Sequence, residues 1–296
     1  RFPLPGPLPK GEDRFSFSRL TRIDVYQPNG PFALRHVLKG AETYFIDRRR
    51  VEVRQGQFQI MPAGLPHRVC FEVPTPSEGL CVFFSEARLR DAYRSLTRPE
   101  RPLLDAPGDA DEPLPGFPDF VLPARHYAAG RLLHHTAHCA STAPEQLPDD
   151  LTDLHIALAR TYLFARADVA TKMRKLDAAR PATRTELLRR LLVARDFIES
   201  SFAGPVNLQQ IAEAAAVSPF HLHRSFQRAF GTTPVQYVQH CRLTEAVRLL
   251  KAGRHSVSEI ALRTGFTDLP TFSKAFKRRY GVPPSYVRKD GDGDDA

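Results

Sequence analysis

The segment from Asn207 to Arg288 reads as one unit written twice, and this repeat restricts the fold more than any other feature of the chain. The first copy runs Ile211-Ala212, then Val217-Ser218-Pro219-Phe220-His221-Leu222-His223-Arg224-Ser225-Phe226, then Phe230-Gly231-Thr232-Thr233-Pro234. The second runs Ile260-Ala261, Gly265-Phe266, Thr271-Phe272-Ser273-Lys274-Ala275-Phe276-Lys277, then Tyr280-Gly281-Val282-Pro283-Pro284. From Leu222 onward the copies superpose with a shift of 50 residues, so that Leu222 falls on Phe272, Phe226 on Phe276, Gly231 on Gly281 and Pro234 on Pro284. The front halves differ by one residue, absorbed at Asp268. A pattern recurring at fixed spacing is one supersecondary unit used twice.

Each copy has a physical reading. Asn207, with Gln210 three residues on, caps a short helix carrying Leu208, Ile211 and Ala215 on one side. After a break, Ser218 caps a second helix whose first residue is Pro219, where no N–H is needed. In the second copy Ser256 and Glu259 form a capping box, Ile260 anchors the short helix, and Gly265 and Asp268 turn the chain. Short helix, tight turn and second helix make a helix-turn-helix. On the second helix Leu222, Phe226 and Phe230 share a stripe that must be buried. Phe220, His223, Arg224 and Gln227 share another, and adding 50 gives Pro270, Ser273, Lys274 and Lys277. These outward stripes are the surfaces that could enter a major groove.

Over about a hundred residues these motifs resemble the AraC/XylS family of bacterial transcription regulators. The resemblance implies two helix-turn-helix units joined by a long helix, here Pro234 to Lys251, reading two successive major-groove segments on one face of DNA, ~34 Å apart. Its base-reading positions fall on Phe220, His223 and Arg224, and on Leu269, Pro270, Ser273 and Lys274. The DNA-contacting set implied is Ser218, Phe220, His221, His223, Arg224, Gln227 and Arg228, with Leu269, Pro270, Thr271, Ser273, Lys274, Lys277 and Arg278. Arg228, Lys277, Arg278 and Arg279 are assigned to phosphates. The chain departs from the family at Ala216, where glycine is usual and a left-handed residue would cost energy. Leu269 and Pro270 replace polar residues, which turns the second helix toward holding phosphate. Val287 stands where an aromatic residue is common.

Charge agrees with a polyanion partner. Residues 184–290 hold 17 Lys and Arg against 8 Asp and Glu, whereas residues 1–183 are nearly balanced at 25 against 22. At 296 residues the chain has room for two cores. No run of 18 apolar residues exists, so no membrane span is expected, and the proline-rich start lacks an apolar signal core. Cys70, Cys81, Cys139 and Cys241 are scattered without a C-x-x-C pair, as fits structural thiols in a reducing cytoplasm.

The N-terminal half carries a strand signal from Phe15 to about Phe84, with charged or glycine turns around Asp47-Arg48-Arg49 and Gln55-Gly56. Short strands at close spacing suggest a barrel or sandwich. Gly56-x5-Pro62-x-Gly64-x2-His67 resembles the second cupin motif, although Phe71 stands where that motif has Asn. Of the first motif only His36 is present. Two histidines are too few for a metal, so the expectation is a cupin-like barrel without one. His36, Tyr44 and His67 are candidate effector contacts, with core or rim histidines as the plainer alternative. Residues 1–14 are expected to form a loose arm, and residues 97–124, rich in Pro, Asp and Gly, a flexible excursion. Helical patterns follow at about 126–141 and 148–178, the second with Leu151, Leu154, Leu158 and Tyr162 on one stripe; the resemblance implies a hairpin that pairs two subunits. The pairs His134/His138 and His135/Cys139 have a spacing that can chelate a transition metal, but no further ligand follows at a fitting spacing, and no metal is assigned. Ala179–Ala182 is expected to be a linker, and Thr183 with Glu186 a capping box opening the next helix.

The expected fold class is thus α+β: a cupin-like barrel with a helical hairpin, then an all-α domain of two helix-turn-helix units joined by a long helix. The expected domains are a sensor at 1–120, hairpin and linker at 121–182, a DNA-binding domain at 183–290 and an acidic tail at 291–296. The function implied is a sequence-specific, effector-responsive transcription regulator, with activator as the keyword. Its partners would be double-stranded DNA, RNA polymerase, a small-molecule effector and a second copy of the chain. It would be cytoplasmic and nucleoid-associated, with no cofactor and no enzymatic activity. The alternative is a cupin-type metalloenzyme with a DNA-binding appendage, which requires a metal triad the sequence does not show.

Overall fold

The computed structural model describes residues 13–97, 118–148 and 150–289. Most of the expected arm, most of the excursion and the acidic tail fall outside the described residues. The chain divides between Ala170 and Thr171 into two compact units.

The first unit is built on a seven-stranded antiparallel sheet that curls into a nearly closed, cupin-like barrel. Its strands are β1 (Arg14–Gln27), β2 (Phe32–Lys39), β3 (Ala41–Ile46), β4 (Arg49–Arg54), β5 (Gln57–Met61), β6 (His67–Phe84) and β7 (Phe120–Pro123). The order is β4-β3-β6-β2-β5-β7, and β1 also pairs with β6. Strand β6, 18 residues long, is the frame: β2 and β3 pair with different parts of it, and β1 follows it from Phe83 to His67. The β3–β4 turn is tight because Asp47 and Arg48 both take positive φ, 47° and 65°, which matches the twist of a two-residue hairpin. Residues directly opposite in a ladder share a face. Ala33 lies opposite Met61 and Arg35 opposite Gln59, so odd-numbered β2 residues face inward. Leu34, His36 and Leu38 face outward, yet they are buried too, which leaves β2 covered on both sides.

Three expectations need correction here. Asp13 is tied down rather than loose: its carboxylate accepts from the Ser85 N–H at 2.9 Å and from Arg88 at 2.7 Å, and Arg14 already belongs to β1. The end of the 97–124 stretch is not an excursion. Phe120 and Leu122, 1% and 0% exposed, complete the sheet as β7 against β5, and Pro123 is tolerated because it ends an edge strand. A helix, α1 (Glu86–Thr97), also follows β6, in a stretch where the sequence pattern marks no element.

The helical hairpin comprises α2 (Ala128–Thr142) and α3 (Thr152–Lys175), joined through a single 3₁₀ turn at Pro144–Gln146. Leu158 and Tyr162 of the expected stripe are buried, and the Tyr162 ring sits 4.8 Å from that of Phe32 in β2.

The second unit contains α4 (Pro181–Ser201), α5 (Leu208–Ala214), α6 (Pro219–Phe230), α7 (Pro234–Lys251), α8 (Val257–Arg263), α9 (Leu269–Tyr280) and α10 (Pro284–Lys289). Helix α4 starts at Pro181 with Arg180 as N-cap and no side-chain cap, so the expected linker ends two residues early and the Thr183/Glu186 capping box does not form. Proline, with φ preset and no N–H to satisfy, opens the helix ahead of the threonine. Behind α8 and α9 lies one continuous core of Leu243, Ala246, Leu250, Ile260, Ala261, Phe266, Phe272, Ala275 and Phe276.

Candidate nucleic-acid interface and ligand cavity

The two helix-turn-helix units are held by matching local chemistry. Capping boxes open α5 at Asn207/Gln210 and α8 at Ser256/Glu259. Both short helices end in the same two hydrogen bonds. In the first copy the Val217 N–H donates to the Ala212 carbonyl and the Ala216 N–H to Glu213; in the second, Phe266 donates to Ala261 and Gly265 to Leu262, each at 3.0 Å. This is the Schellman pattern, and it requires a left-handed residue in the middle. Gly265 provides it at φ +86°, while in the first copy Ala216 is forced to φ +52°. Glycine is obligatory at 265 for a second reason: a Cβ there would lie 2.8–2.9 Å from the Ala203 carbonyl, the Phe202 carbonyl and Arg242 Nε. Ser218 and Asp268 then cap α6 and α9 by accepting from the His221 and Thr271 N–H groups, and Gly231 and Gly281 end both helices at positive φ.

Inward, Leu222, Phe226, Phe272 and Phe276 are fully buried. Outward, Ser218, Phe220, His221, His223, Arg224 and Gln227 are exposed, and Arg228 is half-buried. Phe220 leaves 78% of its surface in water, a large apolar expanse with no core role. On α9, Leu269, Pro270, Thr271, Lys274, Lys277, Arg278 and Arg279 are exposed and Ser273 is half-buried. Arg278 donates to Gln239 of α7 at 3.3 Å, and Arg279 lies 3.5 Å from His240, so these two lean toward the joining helix. Sequence reasoning gave no hint of Asp177, whose carboxylate sits 2.7 Å from Arg228 Nη1 and 3.4 Å from Arg224 Nη2. The hydrogen bond and charge of Arg228 hold that carboxyl below its ordinary pKa. A lone acid in a connecting segment carries no periodic signal by which it could be found.

The barrel encloses a cavity of about 110 Å³, whose walls include Leu20, Ile23, Val25, Met61, Phe71 and Phe83. Tyr44 and His67 line it, and their rings are 6.3 Å apart. His36 does not. It is fully buried on the opposite face of β2, with Nδ1 2.9 Å from the Gln57 carbonyl and Nε2 3.2 Å from His134 Nδ1 of α2. Its selection as an effector contact is corrected by strand geometry: an even-numbered β2 residue cannot point inward. Burial, then the neighbouring His134, depress the His36 pKa to about 4. His135 and Cys139 are 3.8 Å apart, and among the described residues no group of three or more His, Cys, Asp or Glu is placed to hold a metal.

The polar end of the cavity was missed. Arg35 donates from Nε to Glu42 Oε2 at 2.8 Å and from Nη2 to Glu42 Oε1, and Nη2 also reaches Ser18 Oγ at 2.9 Å. The Tyr44 hydroxyl donates to Glu42 Oε2 at 2.8 Å. Gly79 makes room for this pair, since a Cβ there would lie 2.6 Å from the His36 carbonyl and 2.9 Å from Arg35 Nη2. A signal was available: Arg35 is in phase with Ala33 and Val37, and Glu42 with Tyr44 and Ile46, so each is a charge on the apolar face of its strand.

Comparison with known proteins agrees with this division. Residues 28–161 match the AraC-like ligand binding domain, and residues 211–290 a helix-turn-helix domain. The HTH-type transcriptional activator RhaS of Klebsiella pneumoniae strain 342 is 33% identical over 141 residues, covering 48% of this chain and 49% of that protein. RhaS of Escherichia coli O139:H28 is 36% identical over 104 residues, covering 35% and 37%. The match thus spans about half the length of these relatives or less. The C-terminal domain of AraT, a response regulator from Geobacillus stearothermophilus, is 30% identical over 34% of this chain and 84% of that domain; its TM-score of 0.33 marks a superposition too loose to transfer function. With a ligand-binding domain and a helix-turn-helix domain matched in this order over more than half its length, the chain belongs to the AraC/XylS family.

Proposed function

We propose that the chain is a sequence-specific DNA-binding transcription regulator whose barrel senses a small molecule. The observation that carries this is the paired stripe: two helices built on the same scaffold bury Leu222, Phe226, Phe272 and Phe276 and hold Arg224 and Lys274 in water. His223, Arg224, Ser273 and Lys274 contact bases, while Arg228, Lys277, Arg278 and Arg279 contact phosphates. The sensor is assigned to residues 1–120, the hairpin and linker to 121–182 and the DNA-binding domain to 183–290. RNA polymerase and a second copy of the chain are the protein partners, the hairpin being the pairing element, and the site of action is the bacterial nucleoid. No helix among the described residues is long and apolar enough to cross a membrane. A metalloenzyme would need a ligand set, and among the described residues the two barrel histidines are otherwise engaged: His67 donates to the Leu65 carbonyl, and His36 bonds the Gln57 carbonyl and His134 of α2.

The test is selection of bound fragments from random duplexes, followed by titration of the selected site. Arg224→Ala is expected to lose ~1–3 kcal/mol of discrimination, the value of a bidentate arginine on guanine, and to retain weak, salt-sensitive binding. A variant as tight and selective as the parent protein would sink the assignment of α6.

A further inference from the structure

The cavity's charge balance limits what it can hold, and this inference rests on its assignment as the sensor site. Among the described residues, five ionisable side chains line it: Arg35, Glu42, Tyr44, His67 and Cys81. Arg35 and Glu42 cancel, because the guanidinium grips the carboxylate with two nitrogens and both groups are buried. Burial raises the Tyr44 hydroxyl well above its ordinary pKa and pushes the Cys81 thiol up to about 12; burial also lowers His67. All three are therefore neutral near pH 7. A charged guest would shed water on entering and, among the described residues, meet no free counter-charge in return.

Hydrogen-bonding capacity remains. Nε and Nη2 of Arg35 are taken, but Nη1 makes no hydrogen bond among the described residues and can donate. The ring of His67 gives its Nδ1 hydrogen to the Leu65 carbonyl at 2.9 Å, which leaves Nε2 as an acceptor. Ser16, Ser18 and Gln27 add polar groups to a wall that is otherwise aliphatic or aromatic. The space is of the order of the ~150 Å³ cavity that accepts benzene in another protein.

We propose that the effector is a small uncharged molecule with an apolar body and one hydroxyl or comparable group, held between Arg35 Nη1 and His67 Nε2, and that ions of the same shape are rejected. The probes are benzyl alcohol, benzoate and benzylamine at pH 7, titrated into the full chain by calorimetry or by ligand-observed NMR. Benzyl alcohol is expected to bind at least ~tenfold more tightly than either ion. In Ile23→Trp, which fills the cavity, that binding is expected to vanish. Glu42→Gln leaves Arg35 without its partner, and benzoate should then overtake benzyl alcohol. Benzoate or benzylamine binding the parent protein as well as the alcohol does, alcohol binding unchanged in Ile23→Trp, or no binding of any probe would each overturn the inference. The parent comparison stands even if Glu42→Gln fails to fold. Titrating DNA into the same preparation separates the two levels: protein that binds DNA but not the alcohol refutes only this inference, and protein that binds the alcohol but no DNA refutes only the regulator assignment.

Discussion

Ala216 and Gly265 occupy the same place in the two copies, and only one of them suits it. Each is the left-handed residue of a Schellman turn with identical hydrogen bonds, but Ala216 holds φ +52° with a Cβ. The left-handed conformation costs an L-residue ~1–2 kcal/mol. Ala216→Gly removes that cost and returns ~0.4–1 kcal/mol through the greater freedom of the unfolded chain. The net gain is about 0.5–1 kcal/mol, equivalent to a melting temperature about 2–5 °C higher for a helical unit of this size. The hydrogen bond from Arg190 Nη1 to the Ala216 carbonyl, 2.8 Å, involves backbone on the receiving side and survives the change. The reciprocal Gly265→Ala acquires the left-handed cost and three contacts under 3.0 Å, two of them with backbone carbonyls. The left-handed penalty and overpacking together cost about 2–5 kcal/mol.

The assay is urea unfolding of the full chain followed by helical circular dichroism, with DNA binding measured in parallel. The expected result is a higher midpoint for Ala216→Gly with unchanged slope, a much lower one for Gly265→Ala, and unaltered DNA affinity for the first. A destabilised Ala216→Gly, or a Gly265→Ala variant indistinguishable from the parent, would refute the reasoning.

Two further outcomes are expected. Lys277→Ala should weaken binding about equally on all sequences and lower the slope of log affinity against log salt by ~1, as measured by titration at several salt concentrations; a sequence-dependent loss would make Lys277 a base reader. His36, whose pKa is lowered to about 4 from the 6.5 of an unperturbed histidine, binds its proton more readily unfolded than folded. Its contribution is therefore intact above pH 6.5 and lost as pH falls toward 4, by roughly 3 kcal/mol at the limit. The ionisable groups that act on it are His134, which it touches, and, from the other face of β2, Arg35 and Glu42, and His67 and His155, also lowered by burial, titrate in the same sense. Urea midpoints against pH should accordingly be flatter, though not flat, in His36→Gln.

The helical unit was legible because its determinants are local. Asn207, Ser218, Ser256 and Asp268 each cap a helix within three residues, Pro219 and Pro234 start α6 and α7, and Gly231 and Gly281 end α6 and α9. Only α4 went astray, where Pro181 outranked a plausible threonine cap. In the barrel the determinants are long-range. His36 looked like an inward ligand because it matches a histidine of the first cupin motif, but β2 is covered on both faces, so the pattern along it does not report direction. The inward polar pair, Arg35 and Glu42, comes from two strands and is visible only once both strand phases are known. Strand β7 was hidden because Phe120 and Leu122 stand beside a Pro, Gly and Asp run whose composition dominates any window that includes them.

What the copies share and where they diverge leads to a last prediction. Positions that build the scaffold agree: Leu222 with Phe272, Phe226 with Phe276, Gly231 with Gly281, Pro234 with Pro284. Positions on the outward stripe all differ: Phe220 against Pro270, His223 against Ser273, Arg224 against Lys274, Gln227 against Lys277. The same geometry is therefore presented with different chemistry. An arginine fork reads guanine with two bonds and a glutamine can do the same for adenine, while lysine is a flexible point charge suited to phosphate. The exposed ring of Phe220 fits a thymine methyl, whereas Pro270 has no donor to offer. Base changes beneath α6 should cost ~1–3 kcal/mol each, as for a well-read position, and those beneath α9 markedly less, although Lys274→Ala and Lys277→Ala weaken binding overall. Competition titrations with single-substituted sites would measure this directly. Equal penalties in the two segments would mean that α9 reads bases as closely as α6, and that Lys277 does more than hold the backbone.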